Sequence, residues 1–247
     1  MNIFKGKTIF NDKAIVYQEA RPSYPTIVAI EMLKNLSEKP VITDVGAGTG
    51  KFTELLLNQN ATVYAVEPNE AMRNQLKITY GDNPNLHIIN ADAEKTTLQN
   101  KFTDLIVVAH AFHWFNKNEC KKEFKRILKD NGKVGLIWNW YANNPTMNEY
   151  RHLIYECATK EVLFIKEQVN TEFLNNFFDK YETKEYTNDV AYNFNTIIKL
   201  AQSSHCTPVK GEKGYNEMYV KIKKWFDKYN CNGNIKFSFN CTTYMGN

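Results

Sequence analysis

Hydrophobic and polar positions follow a repeating rhythm over the first 140 residues. Short apolar runs stand at Val41–Val45, Thr62–Val66, Leu86–Ile89, Asp104–Ala109 and Lys133–Trp138. Most are rich in β-branched residues and nearly continuous, the pattern of strands buried on both faces of a parallel sheet. Between them apolar residues return at helical spacing. Phe52, Leu55 and Leu56 mark one helix. Asn69 caps the next. Asn116 and Glu119 form a capping box for a helix through Cys120, Phe124, Ile127 and Leu128, with Asn131-Gly132 as its stop. Earlier, Pro25 opens a helix whose Ile27, Ile30, Leu33 and Leu36 repeat along one face. Strand and helix in alternation predict an α/β fold.

The rhythm breaks after Trp138. Residues 141–182 contain two helical pieces, near Met147–Phe164 and Glu172–Phe178, and a cluster of aromatics from Phe173 to Tyr181. The length suits a helical lid inserted over a pocket. Lys184–Val190 reads as a strand and Phe194–Ala201 as a helix. Tyr215, Met218, Tyr219, Ile222, Trp225, Phe226 and Tyr229 line one face of a long amphipathic helix, a stripe read as core. After an Asn232-Gly233 turn, Ile235–Tyr244 alternates as the last strand. The 247 residues suit a single domain, 1–247, with an N-terminal arm at 1–24.

Composition narrows the classes. Net charge is +4, from 31 basic and 27 acidic residues well mixed, too weak a bias to argue for nucleic acid or membrane binding. No apolar run approaches the roughly 20 residues of a membrane helix, and no basic-then-apolar leader opens the chain. The five cysteines, Cys120, Cys157, Cys206, Cys231 and Cys241, show neither CxxC spacing nor a histidine at ligand spacing. They read as reduced thiols of a cytoplasmic protein without structural zinc or any other metal.

The first strand runs into Asp44-x-Gly46-x-Gly48-x-Gly50. A dinucleotide fingerprint needs G-x-G-x-x-G. Lys51 and Thr53 occupy the positions where its last glycine would fall, so a nicotinamide dehydrogenase is disfavoured. The motif resembles the first motif of class I S-adenosylmethionine (SAM)-dependent methyltransferases. Ahead of it, Tyr17-x-x-x-Arg21-Pro22-x-Tyr24-Pro25 resembles the methyltransferase type 11 subgroup that includes trans-aconitate methyltransferase, in which this segment folds over SAM. The resemblance covers the chain from Tyr17 to Gly246. It implies a Rossmann-like, seven-stranded, doubly wound α/β sheet with the last strand antiparallel. It also implies methyl transfer from SAM, with S-adenosylhomocysteine as product, to a small-molecule acceptor.

Site residues follow from motif and fold together. Gly46, Ala47, Gly48 and Gly50 would form the cofactor turn beside Asp44. Glu67 ends the second strand, where a carboxylate can accept hydrogen bonds from both ribose hydroxyls. Pro68 and Met72 follow, Met72 being either an adenine contact or core. Asp92, with Ala93, matches the acidic residue that meets the adenine amino group in this family, or else is a helix cap. Ala109 ends the fourth strand and leads to His110-Ala111-Phe112-His113-Trp114-Phe115, where the family carries a Phe-His-Trp. The loop lacks the Asn-Pro-Pro-Tyr of DNA adenine methyltransferases. Tyr17 and Arg21 are assigned to the cofactor, with a solvated arm as the alternative. His113, Trp114 and Tyr24 are assigned to the acceptor.

In-line displacement from a sulfonium needs position and a dry site more than acid–base chemistry. A carboxylate acceptor needs no base. A hydroxyl or amine acceptor would, and His110 and His113 are the candidate bases, each otherwise a hydrogen-bonded scaffold residue. A protein that binds SAM or its product without catalysis stays open, as do monomer and homodimer.

Overall fold

The computed structural model describes residues 12–162 and 169–247. Residues 1–11 of the expected arm and residues 163–164 of the expected lid helix lie outside them, and the described part of that helix ends already at Glu156 rather than running on. Seven strands form one sheet: β1 (Val41–Val45), β2 (Thr62–Val66), β3 (Leu86–Ile89), β4 (Thr103–Ala109), β5 (Leu128–Tyr141), β6 (Tyr181–Asn193) and β7 (Asn234–Gly246). Their order is β3-β2-β1-β4-β5-β7-β6, and β7 runs antiparallel to both neighbours. The strand order reverses outward from β1 and β4, which pair in parallel. That switch point is where an open α/β sheet leaves a crevice at its carboxyl edge. Among the described residues no helix is long and apolar enough to cross a membrane.

Alternating side chains send two apolar sets to opposite faces of the sheet. Ile106, Val108, Val134, Leu136 and Trp138 pack with α5 (Lys117–Ile127) and α7 (Thr171–Phe177). Ile42, Val63, Leu105, Val107 and Ile137 pack with α2 (Thr26–Leu33) and α3 (Thr53–Leu57). A third cluster joins α6 (Pro145–Glu156), α8 (Phe194–Gln202) and α9 (Tyr215–Tyr229) to Phe237 and Phe239 of β7. In α9 the buried residues are Met218, Ile222, Trp225 and Phe226, so the aromatic stripe is core, although Tyr219 is exposed. α4 (Glu70–Tyr80) starts at the expected Asn69 cap, whose side chain accepts from Met72 N at 2.9 Å. His87 stacks on Tyr64 across β3 and β2.

Two local expectations fail. In α2 the face Ile27–Ile30 is exposed, and Val28, Ala29 and Met32 are buried instead. The partner strand explains this. A side chain at Gly135 of β5 would stand 3.0 Å from Met32 Cε, so the glycine leaves the hollow that Met32 fills and turns that face inward. Asn131-Gly132 is not the stop of α5. That helix ends at Ile127, Leu128 goes straight into extended backbone, and β5 begins. Leu128 pairs with Thr103 and Lys133 with Leu105, so residues 129–132 are looped out of register. Gly132 is needed there because a side chain would meet Leu128 Cδ2 at 2.6 Å.

Candidate functional site

β1 ends in a tight turn fixed by its neighbour. Gly46 N and Ala47 N both donate to Val66 O of β2, at 2.8 and 3.2 Å. Gly46, Gly48 and Gly50 have φ of +73°, +58° and +90°, the left-handed region that favours glycine. The three glycines differ in what surrounds them. A side chain at Gly46 would meet Ala111 Cβ at 2.6 Å and Phe115 Cζ at 2.9 Å. At Gly50 it would meet Leu76 and Tyr80. At Gly48 nothing stands within 4 Å, because that face opens into a cavity of about 600 Å³. A side chain at Gly48 would therefore obstruct whatever fills the cavity and would clash with no protein atom.

Three acidic residues meet this cavity from successive strand ends. Asp44 on β1 is 1% exposed. Thr53 Oγ1 donates to its Oδ2 at 2.6 Å, while Oδ1 is buried without a partner. Burial, with the nearby Glu67 charge adding to it, pushes the Asp44 carboxyl up to about 7. Glu67 follows β2. Its Oε2 accepts from Gly48 N at 2.8 Å and its Oε1 from Asn69 N at 2.9 Å. These bonds hold the carboxylate rigid and partly offset the burial that raises its pKa. Each oxygen keeps a further lone pair for a ligand donor. Asp92 follows β3, in an antiparallel bridge with Lys95, and Ala93 beside it is buried. Asp92, Ala93, Ala47, Pro68, Met72 and Ala109 all line the cavity. Met72 is 4% exposed, so it is both core and wall.

The other end of the cavity begins where β4 stops. His110 sits at φ +55°, with its N donating to Ile137 O at 2.7 Å. That left-handed step turns the chain into a single 3-10 turn, Phe112–Trp114. The rings of His110 and His113 stand 5.7 Å apart, and both line the cavity. Both Nδ1 atoms are buried without a partner. Burial drives His110 down to about 3 and His113 well below the usual imidazole range. Both rings are therefore neutral at pH 7 and weak proton acceptors. Trp114 and Tyr24 reach the cavity as expected, Tyr24 edge-on against Phe52 at 5.3 Å.

The N-terminal segment forms α1 (Ala14–Ala20), docked along α8. Tyr17 and Arg21 line the cavity. Arg21 Nε donates to Ser203 Oγ at 2.8 Å, and its guanidinium lies 5.3 Å from the centre of the Tyr17 ring. Lys13 Nζ is buried and donates to Ser204 O and to Thr207 O.

Sequence reasoning missed much of the cavity wall beyond the His110–Trp114 turn. Trp140 and Tyr141 end β5, Tyr150, Arg151 and Tyr155 come from α6, and Ser204, His205 and Cys206 follow α8. One signal for the first pair was available, since they stand at the carboxyl end of a parallel strand. For α6 the signal was the spacing of Tyr150, Arg151, Ile154 and Tyr155, which puts all four on one helix face.

The arrangement fits SAM on the chain's own geometry. The Gly48 cradle would be filled by a side chain, the orphaned Asp44 Oδ1 has room in its bonding for a cationic donor, and the Glu67 oxygens keep lone pairs that suit ribose hydroxyls. Among the described residues no cluster of His, Cys, Asp and Glu could hold a metal ion.

Residues 43–136 match the family described as Methyltransferase domain. A methyltransferase-like protein of Schizosaccharomyces pombe is 35% identical over 126 residues, which is 50% of this chain and 48% of that protein. The chain thus spans about half the length of that curated relative. The fold is similar to a type II methyltransferase structure from Anaeromyxobacter dehalogenans, at TM-score 0.67 and 17% identity, over 92% of this chain and 97% of that one. It is also similar to a Haemonchus contortus phosphoethanolamine N-methyltransferase solved with S-adenosylhomocysteine, at TM-score 0.55 and 10% identity, over 99% of this chain and 58% of that one. Residues 43–136 are thus similar to methyltransferase domains, and the sheet has the Rossmann-like fold seen in the methyltransferase structures.

Proposed function

We propose that the protein transfers a methyl group from SAM to a small-molecule acceptor bound at the α6 side of the cavity. The observation that carries this is one continuous cavity. The Gly48 cradle and the Asp44, Glu67 and Asp92 carboxylates line one end, and His110, His113 and Trp114 line the other. SAM would supply an electrophilic methyl on a sulfonium. Glu67 would hold the ribose hydroxyls, Asp92 and Met72 the adenine, and the backbone at Gly46–Gly48 the methionine end. The Haemonchus enzyme is named as an N-methyltransferase of a phosphobase. Here the charges favour an anion. The acidic lining residues cluster at the ends of β1, β2 and β3, while Arg151 lines the α6 side. A carboxylate acceptor is already a nucleophile, which suits two neutral imidazoles that are poor bases and act as hydrogen-bond partners. α6 and α7 would be the lid, and α1 the arm. The reading is tested by incubating the protein with methyl-labelled SAM and a metabolite extract. Label in an acid- and base-labile methyl ester supports it. Calorimetric binding of S-adenosylhomocysteine without any transfer would show a SAM-binding protein that does not catalyse.

A further inference from the structure

We propose that Ser203 is a positioning residue that aims Arg21 at the carboxylate on the methionine arm of SAM. This rests on the reading of the cavity as a SAM site. Arg21 stands just past the end of α1, with extended backbone at φ −65° and ψ 136°. Pro22 follows and disfavours any helical alternative for it. Its main chain is held from two sides. Arg21 N donates to Tyr17 O at 3.0 Å, and Tyr192 Oη donates to Ala20 O at 3.0 Å. A long arginine stem still has many rotamers from a fixed backbone.

Ser203 removes that freedom. It is fully buried where α8 ends, and its N donates to Lys199 O at 2.9 Å. Its hydroxyl proton is committed to Leu200 O at 2.6 Å. The oxygen is thereby turned outward as an acceptor, and Arg21 Nε donates to it at 2.8 Å. Ser203 O accepts from Nη2 at 3.4 Å. One edge of the guanidinium is thus pinned to the end of α8, and Tyr17 covers a face. A planar fork held by one edge presents the rest of its N–H groups in fixed directions, the geometry that suits a carboxylate. Lys13, bonded to Ser204 O and Thr207 O, ties the other end of α1 to the same connection.

The test compares two probes by calorimetry. S-adenosylhomocysteine carries the amino-acid arm, and 5′-methylthioadenosine has the same adenosine thioether without it. Arg21→Ala should weaken S-adenosylhomocysteine about 10–100-fold and methylthioadenosine less than about twofold. Ser203→Ala should weaken S-adenosylhomocysteine about fivefold to tenfold, again sparing methylthioadenosine, and should have no further effect in the Arg21→Ala background. Arg21→Lys keeps the charge but has no Nε–H for Ser203. It should fall between wild type and Arg21→Ala, and it carries the test should Ser203→Ala prove insoluble. If Arg21→Ala leaves the ratio of the two affinities unchanged, Arg21 does not meet the carboxylate and the proposal falls. If Arg21→Ala changes the ratio and Ser203→Ala does not, or weakens both probes equally, Ser203 is only a structural serine. If neither probe binds the wild type, the SAM reading itself is wrong.

Discussion

The two ends of the cavity are built in different ways. At the turn end, Asp44, Gly46, Gly48, Glu67 and Asp92 sit on or just beyond parallel strands, and backbone hydrogen bonds fix the turn and Glu67. Val66 O holds the turn, and Gly48 N and Asn69 N hold Glu67. At the acceptor end the walls come from α1, α6 and the connection after α8, and side chains join them. Lys13, Arg21 and Tyr192 carry those joints. Strand ends are stationed by the sheet ladder, so their spacing survives as a short local motif. Helices that meet through side chains far apart in sequence leave no such motif. The polar atoms differ in the same way. Glu67 has protein partners for both oxygens, whereas Tyr150 Oη, His110 Nδ1 and His113 Nδ1 are buried without one. The turn end leaves Asp44 Oδ1 open as well, and the acceptor end awaits a ligand with donors and acceptors of its own.

Substitutions can break or sharpen this contrast. The largest effect is expected at Gly46. Gly46→Val meets Ala111 and Phe115 and strains a left-handed backbone, so it should cost more than about 3 kcal/mol of stability by urea unfolding. Gly48→Val projects into open cavity. Its left-handed backbone is strained too, so it should lose some stability but less than Gly46→Val, and it should lose S-adenosylhomocysteine affinity by about two orders of magnitude, near 2.7 kcal/mol. Equal destabilisation by the two changes would mean that the cavity does not begin at Gly48.

Glu67→Ala comes next. It removes an acceptor for the ribose and unpins Gly48 N and Asn69 N, and should weaken S-adenosylhomocysteine by about 1.5–3 kcal/mol in calorimetry. Unchanged affinity would make Glu67 a turn-bracing residue alone.

Asp44 gives a pH signature. Its folded pKa of about 7 lies above the ordinary carboxylate value, so its contribution to the free protein's stability is full at low pH and lost as pH rises through 7. A cationic ligand favours the ionised form, so SAM affinity should rise between pH 6 and 8 with release of a proton. Calorimetry in buffers of different ionisation heat measures that proton, and Asp44→Asn should abolish it. His110 acts in the opposite sense, since its depressed pKa makes stability fall as pH drops from 6.5 toward about 3.

The smallest effect is at Tyr150. Tyr150→Phe deletes a buried hydroxyl without a partner and should raise unfolding free energy by about 0.5–1 kcal/mol without altering S-adenosylhomocysteine affinity. A loss of stability on this change would show that the hydroxyl is already satisfied in the free protein.

The same contrast explains what could be read from the chain. Asp44, Gly46, Gly48, Glu67 and Asp92 were legible because each lies within a few residues of an apolar strand whose end position is set by pairing. His113 and Trp114 were legible through β4 in the same way. The inward face of α2 was not, because it depends on the hollow at Gly135, about a hundred residues away. Tyr150 and Arg151 were legible as helix but not as lining, since the cavity they face is set by α8 and β5. For Arg21 the sequence pointed to a cofactor contact but not to Ser203, a partner 182 positions distant.

The position of β7 between β5 and β6 also sets an order of assembly. β6 leaves the ribosome before β7 and, among the described residues, has no other strand to pair with. The segment that follows β6, with α8 and α9, must therefore wait for β7 to slot in beside β5. Until then the parallel half, β1 to β5, can form during synthesis, while the wall that carries Ser203 is held through α1 without support from the sheet. A nascent chain halted before Asn234 should resist protease from about residue 26 to 141 and be cut readily beyond; equal resistance throughout would contradict this order. Competence to grip a ligand from both sides is thus gained only after translation has passed β7.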